Sequence, residues 1–194
     1  DLFATFEDIP VAAASSAQVH KARTHEGHDV AVKILRPFIE VQFQKDLDLF
    51  RWTAERLEAW NVKSRRLRPI AVIDTLADSV ARELDLRLEA AAASELGDLM
   101  QGEEAYHIPA VDWARTSKRV LTTEWITGVA LTDPEATDQL GLDKKGLSER
   151  LVQIFLTQAM RDGFFHADLH QGNLLVTEEG VIVAVDFGIV GRLD

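Results

Sequence analysis

The apolar period along the chain changes several times, and each change marks an element. From Val19 to Arg23 apolar and polar residues alternate. Glu26-Gly27-His28 interrupts as a turn, and Asp29 to Leu35 alternates again, which predicts a β-hairpin. A loop of small residues, Ala12 to Gln18, precedes it, and Arg36-Pro37 ends it. From Phe38 to Trp60 the apolar residues Phe43, Leu47, Phe50, Ala54 and Leu57 recur at three- and four-residue steps, which predicts a helix. Asn61 to Arg68 reads as a polar connector carrying Lys63, Arg65, Arg66 and Arg68. A second helical run extends from Ile70 toward Met100, with a break predicted near Asp78-Ser79 and Leu84, Leu88 and Ala91 on the packing face. In it Asp85 and Glu89 are four residues apart and are expected to share a face. Ile108 to Trp113 and Arg119 to Ile126 read as two further strands, the second broken by Gly128, completing a five-stranded sheet beside the helices.

Beyond this sheet, Thr132-Asp133-Pro134 reads as a helix start and Gly141 to Lys145 as a linker. A helix is predicted from Leu147 to Asp162, with Leu151, Ile154, Phe155, Gln158 and Ala159 as its spine and Gly163 as its cap. Two apolar runs follow, Leu174-Leu175-Val176 and Val181 to Val185, joined by Glu178-Glu179-Gly180. Such a hairpin brings the residues at its open end, Asn173 and Asp186, together.

Composition narrows the class. With 46% hydrophobic residues the chain can bury a core. A net charge of −11 argues against nucleic acid as a partner. The absence of cysteine removes disulfide and thiol chemistry and fits a cytoplasmic setting. No apolar run approaches the ~20 residues that span a bilayer. The chain starts at Asp1-Leu2-Phe3 and stops at Leu193-Asp194, six residues after Asp186-Phe187-Gly188, so both ends read as cut from a longer protein. The basic connector offers one surface for anionic lipid.

The residues at the open end of the second hairpin carry the chemistry. His166-Ala167-Asp168 is followed by Asn173, five residues after Asp168, and then by Asp186-Phe187-Gly188 across the hairpin. This order and spacing are those of a kinase catalytic loop and metal-binding loop. An amide oxygen and a carboxylate there can hold Mg²⁺ on a triphosphate, while Asp168 faces the phosphate acceptor. Val30-Ala31-Val32-Lys33 resembles the kinase strand whose lysine reaches the α- and β-phosphates. A helix carboxylate must pair with that lysine; Glu89, beside small alanines, is the choice and Glu83 the runner-up. On the same pattern the backbone of Glu124 and Ile126 would meet the adenine edge. The phosphate loop departs from kinase practice, since alanines and serines stand where glycines let backbone N–H groups approach phosphates. Alanine resists positive φ, which predicts a stiffer loop.

Nearly the whole chain resembles the UbiB/ADCK-like atypical kinases, the aarF-domain family. The resemblance rests on Ala12 to His20, Ala31-Val32-Lys33, Glu83-Leu84-Asp85 with Glu89, Glu124-Trp125-Ile126, His166 to Asn173 and Asp186-Phe187-Gly188. It implies an α+β, protein-kinase-like two-lobed fold, with residues 1–126 as an N-lobe carrying inserted helices and 127–194 as a partial C-lobe. It implies that Ala13, Ala14, Ser15, Ser16, Gln18, Lys33, Glu124 and Ile126 bind ATP or ADP. By the same resemblance Asp168, Lys33 and Glu89 are catalytic, Asn173 and Asp186 bind Mg²⁺, and Glu83 and Asp85 form the family's acidic motif, which contacts an extension over the active site. Members support isoprenoid-quinone biosynthesis and associate peripherally with membranes, which implies a lipid or quinone precursor as a further partner. Gln171 stands where proline is common, and the family's Lys-x-Gly-Gln extension is not in this sequence. Two other readings are a small-molecule kinase of the aminoglycoside or choline type, which shares His-x-Asp-x-His-x-Gly-Asn, and a nucleotide-sensing adaptor with little turnover.

Overall fold

The computed structural model describes residues 2–60 and 64–193. Lys63 of the basic connector lies outside them. The first sheet is built from β1 (Thr5–Phe6), β2 (Ala12–Ala13), β3 (Ala17–Arg23), β4 (Asp29–Leu35) and β6 (Val120–Glu124). Its order is β1-β3-β4-β6, with β2 also on β3, and its pairings are antiparallel. The β3–β4 register runs from Ala17 opposite Leu35 to Arg23 opposite Asp29, and Lys33 lies opposite Leu121 on β6. The alternation read from sequence thus buries Val30 and Val32 on one face of β4, while Leu35, also buried, lies on the opposite face with Lys33 and packs with Ala17 and Leu121.

Three helices separate β4 from the next strand: α1 (Ile39–Trp60), α2 (Pro69–Glu83) and α3 (Leu86–Leu99). Asp78 and Ser79 do not break the second helical run: α2 continues through them to Glu83, with the Ser79 hydroxyl donating back to Thr75 O at 3.1 Å. The break falls at Leu84-Asp85. Asp85 leaves the helical conformation (φ −120°) and caps α3 by accepting from the Arg87 N–H, while Leu84 and Leu86 are buried on either side. The new start re-phases the helix. Leu86, Glu89, Ala90, Ala93 and Leu96 face inward, whereas Leu88 and Ala91 are exposed. Along α1 only Ile39 and Ala54 are buried; Phe50 and Leu57 of the expected stripe face solvent.

The five-stranded sheet has a different membership from the one expected. Ile108 to Trp113 supplies a single bridge, Val111 to Thr123, and then turns away. Pro109 lacks a donor, and Asp112 accepts from Ala114 and Arg115 N–H to start a 3₁₀ turn over Trp113–Arg115. The short strands β1 and β2 complete the sheet instead.

The second sheet has the order β5-β10-β9-β7, from β5 (Tyr106–His107), β7 (Val129–Ala130), β9 (Leu174–Val176) and β10 (Ile182–Ala184). The β9–β10 hairpin is antiparallel, with Val176 opposite Ile182, and β5 joins β10 in parallel. Between β7 and β9 lie α4 (Pro134–Gln139), α5 (Lys144–Leu156) and β8 (Phe164–His166), the last paired with β11 (Val190–Arg192). The expected linker ends at Asp143, which caps α5 through the Lys145 N–H. The helix runs past Leu156 into a π turn over Thr157–Asp162, and Gly163 (φ 64°) ends it.

Helix α3 holds the two sheets together. Leu86 and Ala90 pack with Ala17, Leu35 and Leu121 of the first sheet. One turn on, Ala93 and Leu96 pack with Leu174, Val176, Ile182 and Phe187 of the second. Glu89 lies between these two faces, next to alanines small enough to let the sheets close around it.

Candidate active site

Strand β4, helix α3 and the segment after β10 converge on one group of side chains. The alternation of β4 turns Lys33 off the face that carries Val30 and Val32. Its Nζ donates to both oxygens of Glu89, at 2.7 and 2.9 Å, and to Asp186 Oδ2 at 3.2 Å. Glu89 is 7% exposed, Lys33 18% and Asp186 42%. One ammonium thus serves two carboxylates across sequence separations of 56 and 153 residues. Burial opposes the charge on Lys33, but Glu89 and Asp186 outweigh it and hold the lysine above its ordinary pKa. Burial also pushes Glu89 up, against the pull of Lys33. At the more open Asp186 burial works against ionisation too, yet Lys33 and the Gly188 N–H prevail and keep the carboxyl below its usual range.

The catalytic loop is tied to this group through a buried histidine. His166, 1% exposed, accepts the Asp168 N–H at Nδ1 (3.1 Å) and donates from Nε2 to Asp186 O. Those two bonds fix the neutral Nε2–H tautomer, and burial holds the ring below its ordinary pKa. One imidazole therefore sets the spacing between the Asp168 loop and the Asp186 loop, with its ring also against Phe187, centroids 5.4 Å apart. The Val185 N–H meets Asn173 O at 3.0 Å across the open end of the β9–β10 hairpin. Asn173 Nδ2 donates to Asp168 O at 3.1 Å and Oδ2 at 3.2 Å. His170 Nε2 stands 3.5 Å from the same Oδ2, while its Nδ1 accepts the Gly172 N–H.

The donor set fits a hard divalent cation. Asn173 spends its Nδ2 on Asp168, which leaves Oδ1 as a donor atom, and Asp186 is ionised and half open. Among the described residues no group of three His, Cys, Asp or Glu side chains is arranged around a metal. Mg²⁺ needs no such cage, because one or two side-chain oxygens suffice when phosphates and water complete its octahedron. The excess of one carboxylate over the ammonium also favours a cation there.

The alanine-rich loop is a closed hairpin. Ala12 and Ala13 pair with Val19 and Gln18, and the Ala14 N–H reaches Ala17 O at 2.9 Å around Ser15 and Ser16. Among the described residues the non-glycine positive φ values are at Phe38 and Arg68, so this turn makes no demand for glycine. Arg36 clamps it, with Nε and Nη2 on Ala14 O at 3.2 and 3.1 Å and its own N–H on Ser16 O. In the sequence Arg36 shows only as a strand terminator. His166 likewise carries no signal apart from its place in the motif, because its two bonds join segments 20 residues apart.

The remaining sequence candidates lie outside this hydrogen-bonded group. Glu83 ends α2 in solvent. Asp85 is held by Arg87, at 2.8 and 2.6 Å, which lowers its pKa, and it does not share the inward face of Glu89. The Glu124 carboxylate accepts from Ala110 N–H and meets His107 Nε2 at 2.8 Å, and its own N–H goes to Ala110 O. Ile126 follows the end of β6, half-buried.

A two-sheet α+β scaffold with a strand lysine, a helix glutamate and paired Asp loops defines a protein-kinase-like fold. The profile of the ABC1 atypical kinase-like domain matches residues 1–194, and the chain belongs to that family. It is 38% identical over 197 residues to a probable protein kinase UbiB of Xylella fastidiosa (strain 9a5c) and 42% identical over 197 residues to that of Marinobacter nauticus. These alignments cover 98% and 100% of this chain but 36% of each relative, so the chain spans about a third of their length. The solved complex of Rv3197 with erythromycin from Mycobacterium tuberculosis superposes with a TM-score of 0.78 at 31% identity, over 98% of this chain and 47% of that one. The ADP/Mg²⁺-phosphoaspartate complex of the Rio2 kinase from Chaetomium thermophilum shares the fold alone, with a TM-score of 0.53 at 12% identity, over 99% and 50% of the two chains.

Proposed function

We propose that this chain is the nucleotide-binding and catalytic core of a UbiB-type atypical kinase or ATPase, turning over Mg-ATP in support of isoprenoid-quinone biosynthesis. The observation that carries the reading is Lys33 Nζ held between Glu89 and Asp186, with His166 joining Asp186 to the Asp168 loop. Glu89 holds the lysine where it can contact α- and β-phosphates. Asn173 Oδ1 and the Asp186 carboxylate would hold Mg²⁺, which supplies charge neutralisation on the phosphates when bound. Asp168, steadied by Asn173, orients an acceptor hydroxyl, either of water or of a lipid or phenolic quinone precursor. Catalysis on this reading is positioning and electrostatics. The loop from Ala13 to Ser16 with Gln18 covers the phosphates, and the backbone of Glu124 and Ile126 receives the adenine. Glu83 and Asp85, outside the lysine group, serve as the acidic motif facing a further segment of the parent.

The proposed setting is the cytoplasmic face of a membrane, contacted peripherally. None of the helices among the described residues is long and apolar enough to cross a bilayer. Helix α1 does expose Leu49, Phe50, Trp52, Leu57 and Trp60, and Arg65, Arg66 and Arg68 follow it, a combination suited to anionic lipid. One observation favours a second reading, a nucleotide-sensing adaptor: the phosphate loop is clamped shut on itself by Arg36. The test is Mg²⁺-dependent phosphate release by the full-length parent, with and without anionic liposomes and a phenolic quinone precursor. Asp186→Asn is expected to abolish release; unchanged turnover refutes the metal assignment. Nucleotide binding with no release under any of these conditions supports the adaptor.

A further inference from the structure

Gln158 is a polar side chain with no exposed surface, on the helix that leads into the catalytic loop. By periodicity alone it is one residue of an apolar spine. The π turn over Thr157–Asp162 changes its role. The wider turn buries two consecutive residues, Gln158 and Ala159, and directs the glutamine at strand β8 rather than along the helix flank. Its Oε1 accepts the backbone N–H of His166 at 3.0 Å, a bond buried at both ends. Antiparallel pairing with β11 leaves that N–H to the glutamine, while the next residue, Ala167, donates to Ile189 O. His166 then holds Asp168 N–H on one ring nitrogen and Asp186 O on the other.

The other end of the amide is unusual. Among the described residues Gln158 Nε2 has no acceptor in good hydrogen-bond geometry, and its neighbour there, the buried Tyr106 hydroxyl, meets it only as a weak contact. Burial pushes that hydroxyl up to about 12 against the opposing pull of the Gln158 amide, so it stays neutral. A buried amide whose NH₂ is so weakly met costs stability that an apolar side chain of the same length does not. Its retained bond is the one that fixes His166.

The geometry points to Gln158 as a positioning residue for the phosphoryl-transfer site: it holds His166 in register, and through His166 the separation between Asp168 and Asp186. The phosphoryl-transfer part rests on the function proposed above; the coupling from Gln158 to the two loops does not. Gln158 touches neither nucleotide contacts nor Lys33, so its loss acts on the loop spacing and not on nucleotide affinity.

The experiment has two arms, on the full-length parent carrying Gln158→Met, Gln158→Asn or Gln158→Glu. The first is amide hydrogen exchange without nucleotide. Met removes the acceptor at constant length, and exchange at His166 and Asp168 should rise about tenfold, the effect of losing one ordinary hydrogen bond. The ladder amide of Ile182, which donates to Ala105 O, should stay unchanged. Glu keeps an oxygen acceptor and should restore most of the protection; Asn, one methylene short, should behave like Met and carries the test if the Met variant does not fold. The second arm is steady-state Mg-ATP turnover. Met and Asn should lower kcat about tenfold with KM for ATP within about twofold of the parent, and Glu should recover kcat. Unchanged exchange at His166 and Asp168 overturns the proposal. So does exchange rising equally across the chain, or kcat and KM failing together, because those mark a structural strut. A parent that releases no phosphate overturns the function proposed above, and the exchange arm then decides the positioning role by itself.

Discussion

Lys33→Met removes the only ammonium in the group it forms with Glu89 and Asp186. Glu89, 7% exposed, loses bonds of 2.7 and 2.9 Å and keeps only the Phe187 N–H at 3.5 Å, with Asp186 as a like-charged neighbour. Removing one partner of a buried pair costs about 3–5 kcal/mol. Two features reduce that here. Lys33 is 18% exposed, so water already reaches the pair, and the orphaned Glu89 can take up a proton, since burial already pushes its pKa up. The expected loss at pH 8 is about 2–3 kcal/mol. Its pH dependence has a definite sign. In the variant, the folded pKa of Glu89 lies further above its unfolded value near 4.5. Stability referred to that group is therefore intact below the unfolded pKa and is lost as pH rises through the folded one, so the deficit widens from pH 5 to pH 8. In the parent the raised pKa of Lys33 keeps its contribution constant over that range, with loss only at alkaline pH. Urea denaturation followed by tryptophan fluorescence, with unchanged m-value, measures the difference. Adding Glu89→Leu to Lys33→Met should recover more than half of the loss, because an apolar pair replaces a stranded charge. A deficit at pH 8 below about 0.5 kcal/mol, the usual range of a neutral surface change, refutes the reasoning. A deficit flat in pH, or no recovery in the double variant, does the same.

Two further expectations concern the catalytic segment. The depressed pKa of His166 makes its contribution present above an unfolded value near 6.5 and lost as pH falls through the lower folded value. Denaturation midpoints should therefore decline below pH ~6.5 in the parent, and His166→Gln should flatten that decline; identical profiles count against the buried neutral ring. At Gly191 a Cβ would collide with the Phe165 ring, across the β8–β11 pair. Gly191→Ala should cost about 1–3 kcal/mol of overpacking, read as a lower Tm, and Phe165→Leu added to it should restore part of the loss; a Tm equal to that of the parent rejects the contact.

The sequence by itself determined what short-range spacing can carry. Alternation from Val19 to Arg23 and from Asp29 to Leu35 became β3 and β4, and the hairpin after Asn173 brought that residue to the base of the Asp186 loop. Asp168, Asn173 and Asp186 lie within 19 residues, so local turn and strand geometry almost fixes their relation. Long-range packing decided the rest. Whether Glu83 or Glu89 meets Lys33 depends on where the helix breaks, and Asp85 breaks it at a cap that becomes visible only with Leu84 and Leu86 buried on both sides. Ile108 to Trp113 has the composition of a strand, yet Pro109 and the Asp112 cap turn it aside while β1 and β2 take the open places in the sheet. Gln158 has the spacing of a spine residue, and only the π turn and the unpaired N–H of β8 make it a ligand of His166. Periodicity records which face a residue occupies. It does not record which distant polar group that face will meet, because that follows from burying both partners together.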